Sequence, residues 1–192
     1  MYAPTYFNNV LKFGIAETGL LGILPAFFNM VAKLSSGYAS DMWSYGNERV
    51  KLVTFNSFAL VVPGILFFAL GYVPNHSPWL GFWMTVAIEC TLGANCGGFY
   101  KCATLVSRQY SHFVIANIQF IKCITLFAAP GLVAIFVEDD SSREQWRNVF
   151  FVFGIVLIIA NTLFCFLATD KPAKFTTITH KSNAIKDKET SI

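Results

Sequence analysis

Three ionisable side chains stand inside stretches that are otherwise apolar: Lys33, Glu89 and Lys122. A charge at the centre of a bilayer-crossing helix costs about 2.5–3.5 kcal/mol, so such groups persist where they pair, face a watery cavity or serve transport. Glu89 lies about ten residues, or about 15 Å of helix rise, from one end of its stretch. Lys122 lies about nine residues from the opposite end of the next stretch, so the two depths nearly match. Two chemistries fit. An ion pair between neighbouring helices keeps both groups charged; alternatively Glu89 takes up a proton and Lys122 holds an anion. Lys33 is only a turn or two from the end of its stretch and can snorkel to the interface.

Other chemistries lack their residues. No nucleophile elbow, HExxH or glycine-rich phosphate loop occurs, and His76, His112 and His180 lie in separate loops or the tail. The five cysteines, Cys90, Cys96, Cys102, Cys123 and Cys165, form no CxxC pair and have no histidine at ligand spacing. They read as small apolar residues rather than as zinc ligands or disulfides. Neither an enzyme nor a metal site is expected, and no cofactor is called for.

The elements that must position these charges are membrane helices. Hydrophobic residues make up 55% of the 192, aromatic residues 16% and charged residues only 13%, against about 25% charged in soluble domains. Stretches of about 20 residues suit a bilayer core about 30 Å thick, and they lie at 18–40, 52–73, 79–100, 113–137 and 149–168. The separators carry turn residues: Asn47 and Glu48, then Pro74, Asn75 and Pro78, then Ser107 to His112. Ser142 with Gln145, or Ser141 with Glu144, fits a capping box that opens the last span. The sequon at Asn75-His76-Ser77 is followed by Pro78 in a tight hairpin, which argues against glycosylation. No internal repeat is present.

The second and fifth spans contain no charged residue, which assigns them to lipid and leaves the other three to line an interior. Gly93, Gly97 and Gly98 form a small-residue face for close helix packing. Pro25, Pro63 and Pro130 with Gly131 weaken their helices and mark kinks. Nine Lys and Arg residues lie on one side of the spans and three on the other, so the carboxyl tail is expected in the cytoplasm. That tail, 170–192, has the polar composition of a disordered extension. A net charge of +3, scattered along the chain, gives no reason to expect nucleic acid. The amino end, MYAPTYF, is no secretory signal and reads as the last turns of a helix whose beginning lies upstream.

Ordered motifs then resemble a known family. Tyr2-Ala3-Pro4-Thr5-Tyr6, Val10 to Ile15, Gly19-Leu20-Leu21 and Leu24-Pro25 are similar to helices seven and eight of the anion:cation symporters of the major facilitator superfamily. Sodium-phosphate cotransporters, sialin and vesicular glutamate transporters belong to that family. Ser36 to Asp41 with Arg49 and Lys51 resembles its loop between helices eight and nine, and Glu144 to Phe150 its entry to helix twelve.

The resemblance spans nearly all of 1–169 and implies an all-α polytopic fold: the major facilitator carboxyl-terminal helical bundle, from the end of helix seven through helices eight to twelve. It implies secondary active transport of a small organic or inorganic anion, driven by a sodium or proton gradient, in a plasma or vesicle membrane. Glu89, Lys122 and Lys101 become the expected ion or substrate contacts, and Gly37, Asp41 and Arg49 the gating loop, with Asp41 meeting Arg49 and Gly37 allowing close approach. A missing amino-terminal half or a second chain is the expected partner; the alternative is a non-transporting fragment or interaction subunit. One departure stands out. Glutamate-transporting relatives carry His and Asp after Gly-Phe at the end of helix ten, whereas this chain reads Gly98-Phe99-Tyr100-Lys101-Cys102-Ala103 and on to Tyr110. Their substrate and coupling ion therefore do not carry over.

Overall fold

Long apolar runs in a medium without water must satisfy every backbone group internally, so they coil into helices. A computed structural model of the chain describes residues 7–8, 11, 13–43, 46–74, 77–137, 143–173 and 176. Among the described residues six long or medium α-helices follow one another after the helical Phe7 and Asn8: α1 (Ile15–Met42), α2 (Glu48–Gly71), α3 (Pro78–Gly93), α4 (Phe99–Ser107), α5 (Ser111–Phe136) and α6 (Arg143–Leu167). Among the described residues there is no strand. The expected capping serines Ser141 and Ser142, the opening Tyr2 to Tyr6 motif, Lys12, Asn75-His76 and the tail from 177 lie outside the described residues.

Local chemistry places the starts. The Gly14 N–H donates to the Glu17 carboxylate at 3.3 Å where α1 begins, so one otherwise orphaned donor is satisfied. Glu48 sits in the first turn of α2, where a negative charge complements the helix dipole, and pairs with Lys51 at 2.9 Å. Pro78 opens α3 at a position where its missing N–H costs nothing.

Among the described residues four stretches are long and apolar enough to cross a bilayer: Glu17–Met42, Glu48–Gly71, Pro78–Phe136 and Glu144–Leu167. The third is 59 residues; as one straight helix it would be about 88 Å long, far more than one crossing. It is instead broken twice. A 3-10 turn at Ala94–Cys96 divides α3 from α4, and another at Arg108–Tyr110 divides α4 from α5. Where the sequence suggests one uninterrupted span over 79–100, the helix stops at Gly93 and resumes at Phe99. The chain is an all-α polytopic membrane protein.

The apolar core sits toward one end. Phe7, Leu11, Phe13, Leu70, Val73, Phe82, Val133, Val137, Trp146 and Val149 are buried in a single cluster, tightened by edge-on rings of Phe7 with Phe82 and of Phe13 with Trp79. α2 and α6 run antiparallel and close together. A Cβ placed on Gly154 would stand 3.0 Å from the Gly64 carbonyl, and one on Gly64 would stand 3.3 Å from that of Gly154. Small residues at such a crossing let backbones approach and gain dispersion contacts that lipid alone does not provide. In the same pair the Asn56 amide donates to Asn161 Oδ1 at 3.0 Å, both residues buried.

Candidate functional site

The break in the long helix is held by its neighbour. α1 runs parallel to α3 and α4, and three of its side chains donate in register to their carbonyls. Asn29 donates to the Glu89 carbonyl at 2.7 Å and Ser40 to that of Gly97 at 3.2 Å, while the Ser36 hydroxyl divides its one proton between the Gly93 carbonyl at 3.3 Å and the Lys33 carbonyl of its own helix at 3.1 Å. Glu89, Gly93 and Gly97 stand four residues apart, so their carbonyls form one row. Carbonyls at a helix end lack intrahelical donors, and in lipid no water replaces them. The Ser36 and Ser40 hydroxyls supply that need.

Glycine makes the approach possible. A Cβ on Gly93 would stand 2.8 Å from both the Asn29 carbonyl and the Ala32 Cβ, and one on Gly97 3.0 Å from the Ser36 carbonyl. On the other flank a Cβ on Gly98 would stand 2.6 Å from the Asn56 nitrogen in α2. The expected small-residue face is thus a contact with two helices at once.

Beside the break lies a cleft of about 820 Å³, bounded by α1, α3, α4 and α5 and by the Ala94–Cys96 turn. No residue of α2 or α6 lines it. The helices that carry the deep charges therefore share the cleft, and α2 and α6, whose apolar spans carry no charge beyond their first turns, pack against each other away from it. Lys33, Glu89 and Lys122 all line it, together with Asn29, Tyr100 and Gln119.

Within the cleft the charges are not paired as expected. No ion pair joins Glu89 to Lys122 among the described residues. Glu89 is half-buried, and its carboxylate accepts a second, longer bond of 3.3 Å from the Asn29 amide. Lys122 is exposed, donates to the Tyr100 hydroxyl at 3.3 Å and stands 6.0 Å from that ring's centroid. Similar depth does not bring two groups together when α5 meets α3 only across an open cleft. The oxygen of the Asn95 side chain is buried without a hydrogen-bond partner among the described residues, on the turn that borders both this cleft and a smaller cavity of about 550 Å³ shared with Asn56, Phe164 and Cys102.

Lys101 occupies a different place from the one expected. It reaches the end of α1, donating to Asp41 at 2.6 Å and to the Ser40 carbonyl and hydroxyl, both at 3.2 Å. The partner of Asp41 is therefore Lys101 rather than Arg49. Arg49 stands at the start of α2 and donates to the Cys165 carbonyl in α6 at 3.4 Å. Gly37 also differs from expectation: a Cβ there would meet nothing within 4 Å, so it permits no close approach, and Gly93, Gly97 and Gly98 do so instead. Sequence reasoning does not find Asn29 and reaches Ser36 and Ser40 only as members of the Ser36 to Asp41 motif, although their spacing of seven and four places the three on one helix face.

Comparison with known proteins follows this geometry. No family model matches the chain. Curated relatives do. Human sialin is 22% identical over 86% of this chain and 34% of its own length. The mouse probable small intestine urate exporter is 25% identical over 82% of this chain and 32% of its own. The mouse sodium-dependent phosphate transport protein 3 is 24% identical over 81% and 33%. The chain is homologous to the anion:cation symporters. These relatives are membrane transporters, a family that is not enzymatic. The chain spans about a third of the length of the curated relatives it matches.

Proposed function

We propose that this chain forms part of a secondary active transporter that carries a small organic or inorganic anion, coupled to a sodium or proton gradient. The observation that carries the reading is the cleft, which gathers Lys33, Glu89 and Lys122 from three helices, α1, α3 and α5. Two ammonium groups at a low-dielectric wall attract an anion more strongly than they would in water. Lys122, already oriented by Tyr100, is the expected anion contact, and the relatives' names, which include urate and phosphate, support the substrate class. The rest of the cleft's wall would come from an amino-terminal half or from a second chain, placing the site between two bundles. The homologues' length and the exposed Phe27 and Leu34 of α1 and Phe120 and Phe127 of α5 support that partner. The carboxyl end lies in the cytoplasm in this reading, on the side richer in Lys and Arg.

The test is uptake of radiolabelled phosphate, urate, glutamate and sialic acid by the complete gene product in proteoliposomes under imposed sodium or proton gradients. Replacing Lys122 by Gln removes a charge-assisted contact of about 1.5–3 kcal/mol, so KM for the transported anion rises about tenfold or more. Uptake that ignores Lys122→Gln removes the site assignment, and absence of uptake of every anion removes the transport reading.

A further inference from the structure

Resting on the transport reading, we propose that the chain leaving α6, residues 169–173 with Thr176, is a strap that holds α4 off the cleft, and that its release lets α4 and α5 swing in and close it. α4 stands between two spaces. On one side Phe99 and Tyr100 border the cleft; on the other Phe99 and Cys102 border the cavity of about 550 Å³ that separates α4 from Ala160, Leu163 and Leu167 of α6. The rings of Phe99 and Phe164 meet beside that cavity, 6.1 Å between centroids. Close-packed neighbours resist displacement, and along this flank α4 has a void in their place. Its two ends are bends. Gly98 before it has φ −106° and ψ −90°, and Arg108 after it φ +45° and ψ −113°; neither is helical backbone. Between them nine residues form a rod about 14 Å long. A helix that short is marginal alone, so its position depends on what ties it down.

At its first turn Lys101 joins α4 to Asp41 and Ser40 of α1. Further along, the ties are to the strap. The Cys102 thiol donates to the Thr169 carbonyl at 3.5 Å, and the Ala173 N–H to the Val106 carbonyl at 3.0 Å. The second of these satisfies a carbonyl of the last helical turn, where intrahelical donors run out. The strap is itself folded: the Lys171 N–H donates to the Thr169 hydroxyl at 3.2 Å, and the N–H and hydroxyl of buried Thr176 both donate to the Ala173 carbonyl, at 2.9 Å and 2.7 Å. Its root is fixed as well, because α6 is held to α2 by the Gly64–Gly154 crossing, by the Asn56–Asn161 bond and by Arg49 on the Cys165 carbonyl. α2 and α6 are therefore the frame and α4 the part that can move. α5 goes with it, since a turn of three residues joins the two and Lys122 donates to Tyr100. With the strap in place α4 is kept beside α6 and the cleft stands open. Without it, Lys101 still anchors the first turn while the far end of α4, and the face of α5 that bears Gln119 and Lys122, are free to move over the cleft toward Glu89.

The complete gene product in proteoliposomes tests this. Thr169→Cys, with every cysteine other than Cys96 and Cys102 replaced by alanine, sets a second thiol beside Cys102, and copper phenanthroline is expected to oxidise the two to a disulfide that locks the strap. In the locked protein a charged maleimide modifies Cys96, which borders the cleft, at least as fast as before oxidation. Counterflow of radiolabelled sialic acid and, separately, of inorganic phosphate is lost, and a reductant restores it. Ala173→Pro, which has no N–H to give Val106, raises hydrogen exchange in peptides covering 102–108 about twofold to tenfold, the shift in opening that one such bond is worth. Ala173→Gly keeps the N–H and leaves that exchange near wild type. A disulfide that does not form, counterflow that survives locking, locking that shuts Cys96 away from the maleimide, or exchange that Ala173→Pro leaves unchanged each overturn the strap. Absence of counterflow in the wild type overturns the transport reading instead, and Cys96 labelling and hydrogen exchange then still decide whether the strap holds the cleft open.

Discussion

Single residues divide sharply by what a methyl group would meet. At Gly98 an added Cβ would stand 2.6 Å from one backbone atom of Asn56 and 2.9 Å from another, and backbone cannot swing aside as a side-chain tip can. Gly98→Ala is expected to cost about 1–3 kcal/mol through overpacking, read as a lower midpoint of thermal unfolding in detergent. At Gly37 the same change meets open space and should shift that midpoint little, within about 0.5 kcal/mol. If the two variants unfold alike, the close crossing at Asn56 is misplaced. This contrast also shows what was readable from residue types. The glycine face at Gly93 and Gly97 could be found by spacing alone, whereas Gly37 stood in a motif and had no spatial partner. The missed donors, Asn29, Ser36 and Ser40, are ordinary polar residues until a neighbouring helix presents carbonyls to them. Likewise Lys101 looked available for a substrate because nothing local shows that Asp41, 60 positions earlier, lies 2.6 Å away.

At the scale of elements, hydropathy found the apolar stretches because length and apolar character are properties of the local chain. It did not find the interruption at Ala94–Cys96, since Gly97 and Gly98 can sit in a membrane helix or end one, and the outcome depends on Ser36 and Ser40 accepting the role of donors. The second interruption carries a backbone strain that can be tested. Arg108 has φ of +45°, a region in which side chains other than glycine cost about 1–2 kcal/mol. Arg108→Gly relieves that strain but frees the unfolded chain, by about 0.5–1 kcal/mol. The expected net gain is a few tenths to about 1 kcal/mol, visible as a higher unfolding midpoint. Arg108→Ala, which keeps a Cβ, should give no such gain.

For the whole molecule, charge placement was the informative signal. Two stretches without ionisable residues became the α2 and α6 pair, and the three with them border the cleft. That division followed from the cost of burying charge, which is the same wherever the helix packs. What the sequence could not supply was the pairing inside the cleft, because matched depth leaves the lateral distance between helices undetermined. A labelling experiment reads the division directly. Cys96 borders the cleft, whereas Cys90 borders a separate, mostly apolar groove beside Phe55 and Phe58. In the complete gene product, a charged water-soluble thiol reagent should modify Cys96 well ahead of Cys90, and the transported anion should slow that reaction. Equal rates at the two thiols would count against a water-filled cleft.

The short helix α4 has one more consequence, mechanical in kind. Its first end abuts the glycine break, and its flank is stitched to the chain that leaves α6: the Cys102 thiol donates to the Thr169 carbonyl at 3.5 Å and the Ala173 N–H to that of Val106 at 3.0 Å. α4 is thus a lever with its fulcrum beside the cleft and its load on residues 169–173. Any tilt of the lever must drag that load or tear the stitching, so strain applied after α6 is transmitted back to the fulcrum.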